Sequence, residues 1–166
     1  DSDILVLNPM RALWDMDLQG HAFAAASHSG VFAVMNGVNR IRLNTDHDYY
    51  NSGVMLMDLD KAREIVRPED VFACVRDHAA ELVLPDQDVF NFLYGAHTLP
   101  LPDAVWTYDA RYYAAYRLRS EGVCDLDWVM QNTVFLHFCG KRKPWASSHA
   151  SRFAALYKHY MQLASR

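Results

Sequence analysis

The sequence predicts an α/β fold, and three features carry that expectation. Strand-type runs of apolar, β-branched, small or aromatic residues recur at 4–7, 21–26, 49–59, 97–102 and 133–138. Between and after them lie helical stretches at 61–66, 68–82, from Pro85 onward and at 151–165. The composition, 51% hydrophobic and 22% charged over 166 residues, is that of one globular domain with a full core.

Composition also excludes some functions. A formal net charge of −4 leaves no dominant basic face, so no nucleic-acid partner is expected. No apolar run approaches the roughly 18–20 residues of a membrane span. Cys74, Cys124 and Cys139 are widely spaced, lack CxxC pairing and read as reduced thiols, which points to a cytoplasmic location.

The chain opens on Asp1-Ser2-Asp3 and runs directly into an apolar segment without an initiator methionine. That start predicts a piece of a longer polypeptide. On an extended backbone the two carboxylates, two residues apart, face one side and offer hard oxygen donors for Mg²⁺ or Mn²⁺. Asn8-Pro9 then predicts a helix start, with Asn8 as N-cap, Pro9 in the first turn, and Leu13, Trp14, Met16 and Leu18 on its inner side. Ser27-His28-Ser29-Gly30 predicts a loop, as does Asp46-His47-Asp48.

In the run from Tyr49, Asn51-Ser52-Gly53 precede an apolar strand. Asn51 both donates and accepts, as a sugar hydroxyl requires, and Gly53 permits close backbone approach. The same residues would also serve a turn into a core strand. Pro68 opens the next helix, with Phe72, Val75, His78 and Ala79 as its expected buried stripe. Pro85-Asp86-Gln87-Asp88 opens another; capping accounts for one acid but not for the whole polar group. Tyr108, Tyr112, Tyr113 and Tyr116 either line an acceptor groove or pack half-buried.

His137-Phe138-Cys139-Gly140-Lys141-Arg142-Lys143-Pro144-Trp145 closes the set: a strand end carrying an imidazole, a glycine turn and three cations. A neutral imidazole beside an ammonium group suits a metal-bound diphosphate. The segment 151–165 is amphipathic; it docks on the domain or, alternatively, touches the inner membrane surface peripherally.

Taken in order, Asp1-Ser-Asp3, Asn51-Ser-Gly53, Pro85-Asp-Gln-Asp88 and His137-x-x-Gly140-x-x-Lys143-Pro-Trp145 resemble glycosyltransferase family 8. These are retaining nucleotide-sugar transferases, among them lipopolysaccharide galactosyl- and glucosyltransferases and glycogenin. Arg142 departs from a run that is often small or neutral in relatives.

The resemblance implies a Rossmann-like GT-A fold, a mixed sheet with flanking helices, here without the N-terminal nucleotide-binding strands. It implies Asp1, Asp3 and His137 as ligands of Mn²⁺ or Mg²⁺, and Gly140 and Lys143 on the donor diphosphate. Asn51, Asp86 and Gln87 would hold the donor sugar, supported by Ser52 and Asp88, with Gln87 and Asp86 nearest the reacting carbon. The expected reaction moves a hexose from a nucleotide sugar, UDP-linked by family habit, to a saccharide or glycolipid of lipopolysaccharide or surface polysaccharide. Three alternatives stand beside it: a haloacid-dehalogenase-type phosphatase, which leaves His137 unexplained, a metal-dependent sugar-binding module, and a folded remnant inactive without its missing half. The isolated 166 residues are expected to be inactive, because the base-binding strands are gone.

Overall fold

The structure, a computed structural model, describes residues 1–27, 33–146 and 151–165. The expected loop residues His28, Ser29 and Gly30 lie outside them. Six strands run in chain order: β1 (Ile4–Val6), β2 (Phe23–Ser27), β3 (Tyr50–Met57), β4 (Thr98–Pro102), β5 (Tyr108–Asp109) and β6 (Phe135–His137). The chain divides into two compact units, Arg11–Pro102 and a second made of Asp1–Met10 with Asp103–Arg166.

In the 11–102 unit the sheet order is β3-β2-β4, with β2 antiparallel to β3 and parallel to β4. The central strand is Phe-Ala-Ala-Ala-Ser, buried throughout, and its alanines leave room for the covering layer. Phe23 meets the Phe90 ring edge-on at 5.3 Å, and Ala25, Tyr50, Ala62 and Tyr94 complete this core. Pro100 and Pro102 place β4 at the sheet edge, where a missing N–H costs no ladder bond.

In the other unit β6 is central: antiparallel to β1, with Ile4 opposite His137, and parallel to β5, with Asp109 beside His137. The Phe138 N–H donates to the Asp3 carbonyl at 2.9 Å and ties the start of the chain to the end of β6. Tyr108 and Tyr116 stack at 4.2 Å and are buried, whereas Tyr112 and Tyr113 are half-buried. The terminal helix spans Ala154–Ala164; Phe153, just before it, is buried, while Tyr160, Met161 and Leu163 are exposed. No helix among the described residues is long and apolar enough to cross a membrane.

Several local expectations are corrected. Asn8 caps no helix start. Its amide donates to the carbonyls of Met130 and Thr133, at 3.0 and 2.7 Å, and so closes the C-terminal end of the helix Leu126–Asn132. The first helix is one turn, Arg11–Trp14, too short to present a stripe: Leu13 and Leu18 turn inward and Trp14 is 76% exposed.

The helix from Pro68 ends at Asp77. The chain turns at His78, whose ring packs on Phe92 at 4.5 Å and whose Nδ1 lies 3.0 Å from Glu81. Its inner side runs through Val71 and Cys74, leaving Phe72 and Val75 exposed. Asn51, Ser52 and Gly53 lie inside β3, not ahead of it.

Candidate functional site

Two short strands bring three metal-ligand types together. β1 begins just after Asp3, β6 ends on His137, and their antiparallel register sets the start of β1 beside the end of β6. His137 Nε2 lies 3.4 Å from both Asp1 Oδ2 and Asp3 Oδ1. One ligand atom from each residue falls within 4.8 Å of the others. Asp3 and His137 are buried and Asp1 is exposed, so the cluster has a closed side and an open one.

Two carboxylate oxygens and an imidazole nitrogen form a donor set that suits a divalent cation such as Mn²⁺ or Mg²⁺. Lys143, expected on the donor diphosphate, forms an ion pair with Asp3 Oδ2. Burial alone would raise the Asp3 carboxyl; the Lys143 hydrogen bond and the charge of His137 overcome it and hold the group below its ordinary value.

The turn after β6 is built around Gly140, at φ +96°. A Cβ there would lie 2.9 Å from Nη1 of Arg111. Arg111 is itself fixed by a forked pair with the fully buried Asp109, Nε and Nη2 reaching its two oxygens at 3.0 and 2.7 Å. Gly140→Ala is therefore expected to cost about 1–2 kcal/mol, from the left-handed backbone and the displaced guanidinium. In urea unfolding the midpoint falls with unchanged slope; an unchanged midpoint would refute this account of the turn. Burial pushes the Cys139 thiol up, with the charge of Asp109 adding to it, away from the thiolate form that a nucleophile needs.

The sugar-site residues expected from the sequence lie in the 11–102 unit. Pro85 starts the helix Pro85–Tyr94, and Gln87 on its first turn faces β3. Gln87 Oε1 accepts from Asn51 Nδ2 at 3.5 Å and from the Ser52 N–H at 3.4 Å, both long bonds. Asn51 Oδ1 takes the Gly53 N–H at 2.9 Å. Asp86 is exposed at the helix start. Gln87, Asn51 and Ser52 are thus brought together, with Asp86 adjacent.

Asp88 is fully buried and held from within. It accepts from Arg42 at 2.9 and 2.6 Å, the Tyr49 hydroxyl at 2.6 Å, and the N–H groups of Val83 and Leu84 at 2.6 and 2.9 Å. Burial would raise its carboxyl, but these donors, Arg42 first, pull it down to about 2. Asn91, also fully buried, bonds both backbone groups of Tyr50 and the carbonyl of Gln87. It locks the first turn of the helix to β3.

Arg42, Tyr49, Asn91, Asp109 and Arg111 were not legible as site support. Asn91, four residues after Gln87 on one helix face, carried the only local signal.

Two mixed three-stranded sheets with flanking helices, and an acidic pair and an imidazole at adjacent strand ends, fit the GT-A glycosyltransferase fold. Solved structures agree. The chain resembles galactosyltransferase LgtC, solved with donor and acceptor sugar analogs, at TM-score 0.74 and 20% identity, covering 95% of this chain and 57% of that one. It also resembles the glycosyltransferase GlyE of Streptococcus pneumoniae TIGR4 at TM-score 0.69 and 20% identity, over 96% of this chain and 37% of that one.

The profile of glycosyl transferase family 8 matches residues 1–149, and the chain belongs to that family. Among curated relatives, general stress protein A of Bacillus subtilis (strain 168) is 29% identical over 97% of this chain and 56% of its own length. A lipopolysaccharide 1,2-glucosyltransferase of Escherichia coli is 30% identical over 58% of this chain and 29% of its own. The chain thus spans about half the length of the first of these relatives, and less of the second.

Proposed function

We propose that the protein is a metal-dependent retaining glycosyltransferase that moves a hexose from a nucleotide sugar, UDP-linked, to a saccharide or glycolipid acceptor such as a lipopolysaccharide or surface-polysaccharide intermediate. The observation that carries this reading is the convergence of Asp1, Asp3 and His137 within one cluster. These three would hold Mn²⁺ or Mg²⁺. Bound there, the cation supplies positive charge to the departing diphosphate, where negative charge grows most in the transition state.

The chain's own groups do the rest. Lys143, a point charge paired with Asp3, offers an ammonium to a phosphate oxygen, and the Gly140 backbone lets that phosphate approach closely. Asn51 and Gln87 present amide groups to the sugar hydroxyls, Ser52 and Asp86 flank them, and Asp88 with Arg42 keeps the helix start in place. As the bond from C1 to the phosphate oxygen breaks, C1 gains positive character, which the Gln87 carbonyl and the Asp86 carboxylate favour electrostatically.

A neutral amide is a poor nucleophile, so the acceptor hydroxyl attacks from the face the leaving group departs. Its oxygen bonds to C1 and its proton passes to the released phosphate oxygen. The same reading puts the protein in the cytoplasm, with the exposed side of Ala154–Ala164 available for peripheral membrane contact.

The test is UDP release by the full-length protein from UDP-glucose and UDP-galactose with Mn²⁺ and with chelator. Release that needs the ion is the expected result, and Gln87→Ala lowers kcat about 100-fold. No release from any nucleotide sugar with Mn²⁺, or a glycosyl adduct trapped on Gln87 or Asp86, would overturn the respective part of the reading.

A further inference from the structure

A cavity of about 560 Å³ opens beyond Gly140 in the unit that carries the metal-ligand cluster, within the roughly 300–1,000 Å³ of small-molecule pockets. Its lining is strongly cationic. Arg111, Lys141, Arg142 and Arg152 line it together with Gly140 and Tyr113, and no carboxylate among the described residues does. This reverses the sign of a chain whose formal net charge is −4.

Two of the cations are pre-oriented. Asp109 engages Nε and Nη2 of Arg111, which directs Nη1 over Gly140. The Arg152 guanidinium rests on the Tyr113 ring at 4.6 Å. Guanidinium groups held in a fixed plane recognise phosphate or carboxylate through paired N–H donors, with little ordering left to do on binding.

The cavity is separate from the charges that serve the metal site. Asp1, Asp3, His137 and Lys143 do not line it. A diphosphate on the metal cluster therefore does not account for this second set of cations, while the backbone from His137 to Gly140 joins the two places over three residues.

We infer that the cavity takes the anionic group of the sugar acceptor, so that the acceptor is a phosphorylated or carboxylated saccharide. The inference rests on the glycosyltransferase reading for the word acceptor and on the cavity alone for the anion. Lys141 and Arg142, both in its lining, are then specificity determinants of this chain.

The experiment is a calorimetric titration of the protein with glucose, glucose 6-phosphate, glucuronate and inorganic phosphate, repeated for Lys141→Gln and Arg152→Gln, whose backbones lie in exposed segments. Glucose 6-phosphate or glucuronate is expected to bind at least about tenfold tighter than glucose, with each variant losing about fivefold to tenfold for the anionic sugars and nothing for glucose. Whichever anionic sugar binds tighter identifies the group. UDP with Mn²⁺ is expected not to displace it.

Equal affinity for glucose and both anionic sugars overturns the inference. So does inorganic phosphate matching the anionic sugar, which would mean an ion site without sugar recognition. Displacement by UDP overturns it too, by assigning the cavity to the donor. If the anionic preference holds while the full-length protein cleaves no nucleotide sugar, the transferase reading fails and the anion site stands.

Discussion

Asp3→Asn is expected to lower metal-dependent UDP release by about 100-fold or more while leaving the protein folded. Loss of an outer partner of a metal ligand already costs roughly 10–100-fold, and Asp3 is proposed as a ligand itself. Its carboxylate lies 3.4 Å from His137 Nε2 and also neutralises Lys143. Asparagine keeps the shape and one oxygen but removes the charge. The stability change is expected to stay within about 1 kcal/mol, because Lys143 is 38% exposed and regains water when its partner is lost. UDP release within threefold of wild type would remove Asp3 from the site. Chelator resistance of the wild-type reaction would remove the metal.

Arg42→Met acts in the opposite way: the fold suffers first. Asp88 is fully buried, and Arg42 is its only cationic partner among the described residues. Stripping one member from such a pair leaves a buried charge that Tyr49 and two backbone N–H groups cannot neutralise, a loss of roughly 3–5 kcal/mol.

The pH dependence has a definite sign. Asp88 sits at about 2 in the folded protein against 3.8 ordinarily, so its contribution is complete above about pH 4 and is lost as pH falls toward 2. The linked stability is on the order of 2 kcal/mol. Urea unfolding from pH 7 down to 2.5 reads both effects: the variant starts lower and shows less acid loss. A variant within 1 kcal/mol of wild type at pH 7 would mean that Tyr49, Val83 and Leu84 suffice to hold the carboxylate.

Much of this architecture is legible along the chain because strand and helix periods are local. β6 and the helix from Pro85 follow from the β-branched and aromatic run 133–138 and from proline at the first helical position. The acidic pair and the imidazole are each legible too, but only the β1–β6 register sets them 3.4 Å apart, and no local rule fixes register between segments more than 130 residues distant.

Partner choice was least legible. Arg42 finds Asp88 across 46 positions, and nothing near Arg42 marks it as a buried anchor. Asp109 and Arg111 are two residues apart, yet only burial of the carboxylate turns them into a rigid fork. Asn8 illustrates the converse error: its cap chemistry was read correctly as a type, but it closes the end of a helix more than 120 residues away, not the start of its own.

The most direct measurement is Mn²⁺ binding, followed by electron paramagnetic resonance on the wild type, Asp3→Asn and His137→Ala, each first checked for an intact fold by circular dichroism. A single Mn²⁺ bound per wild-type chain, and lost from both variants, is the result expected if Asp1, Asp3 and His137 share one cation. Mn²⁺ that binds the variants as tightly as the wild type, or that does not bind the wild type at all, would contradict it.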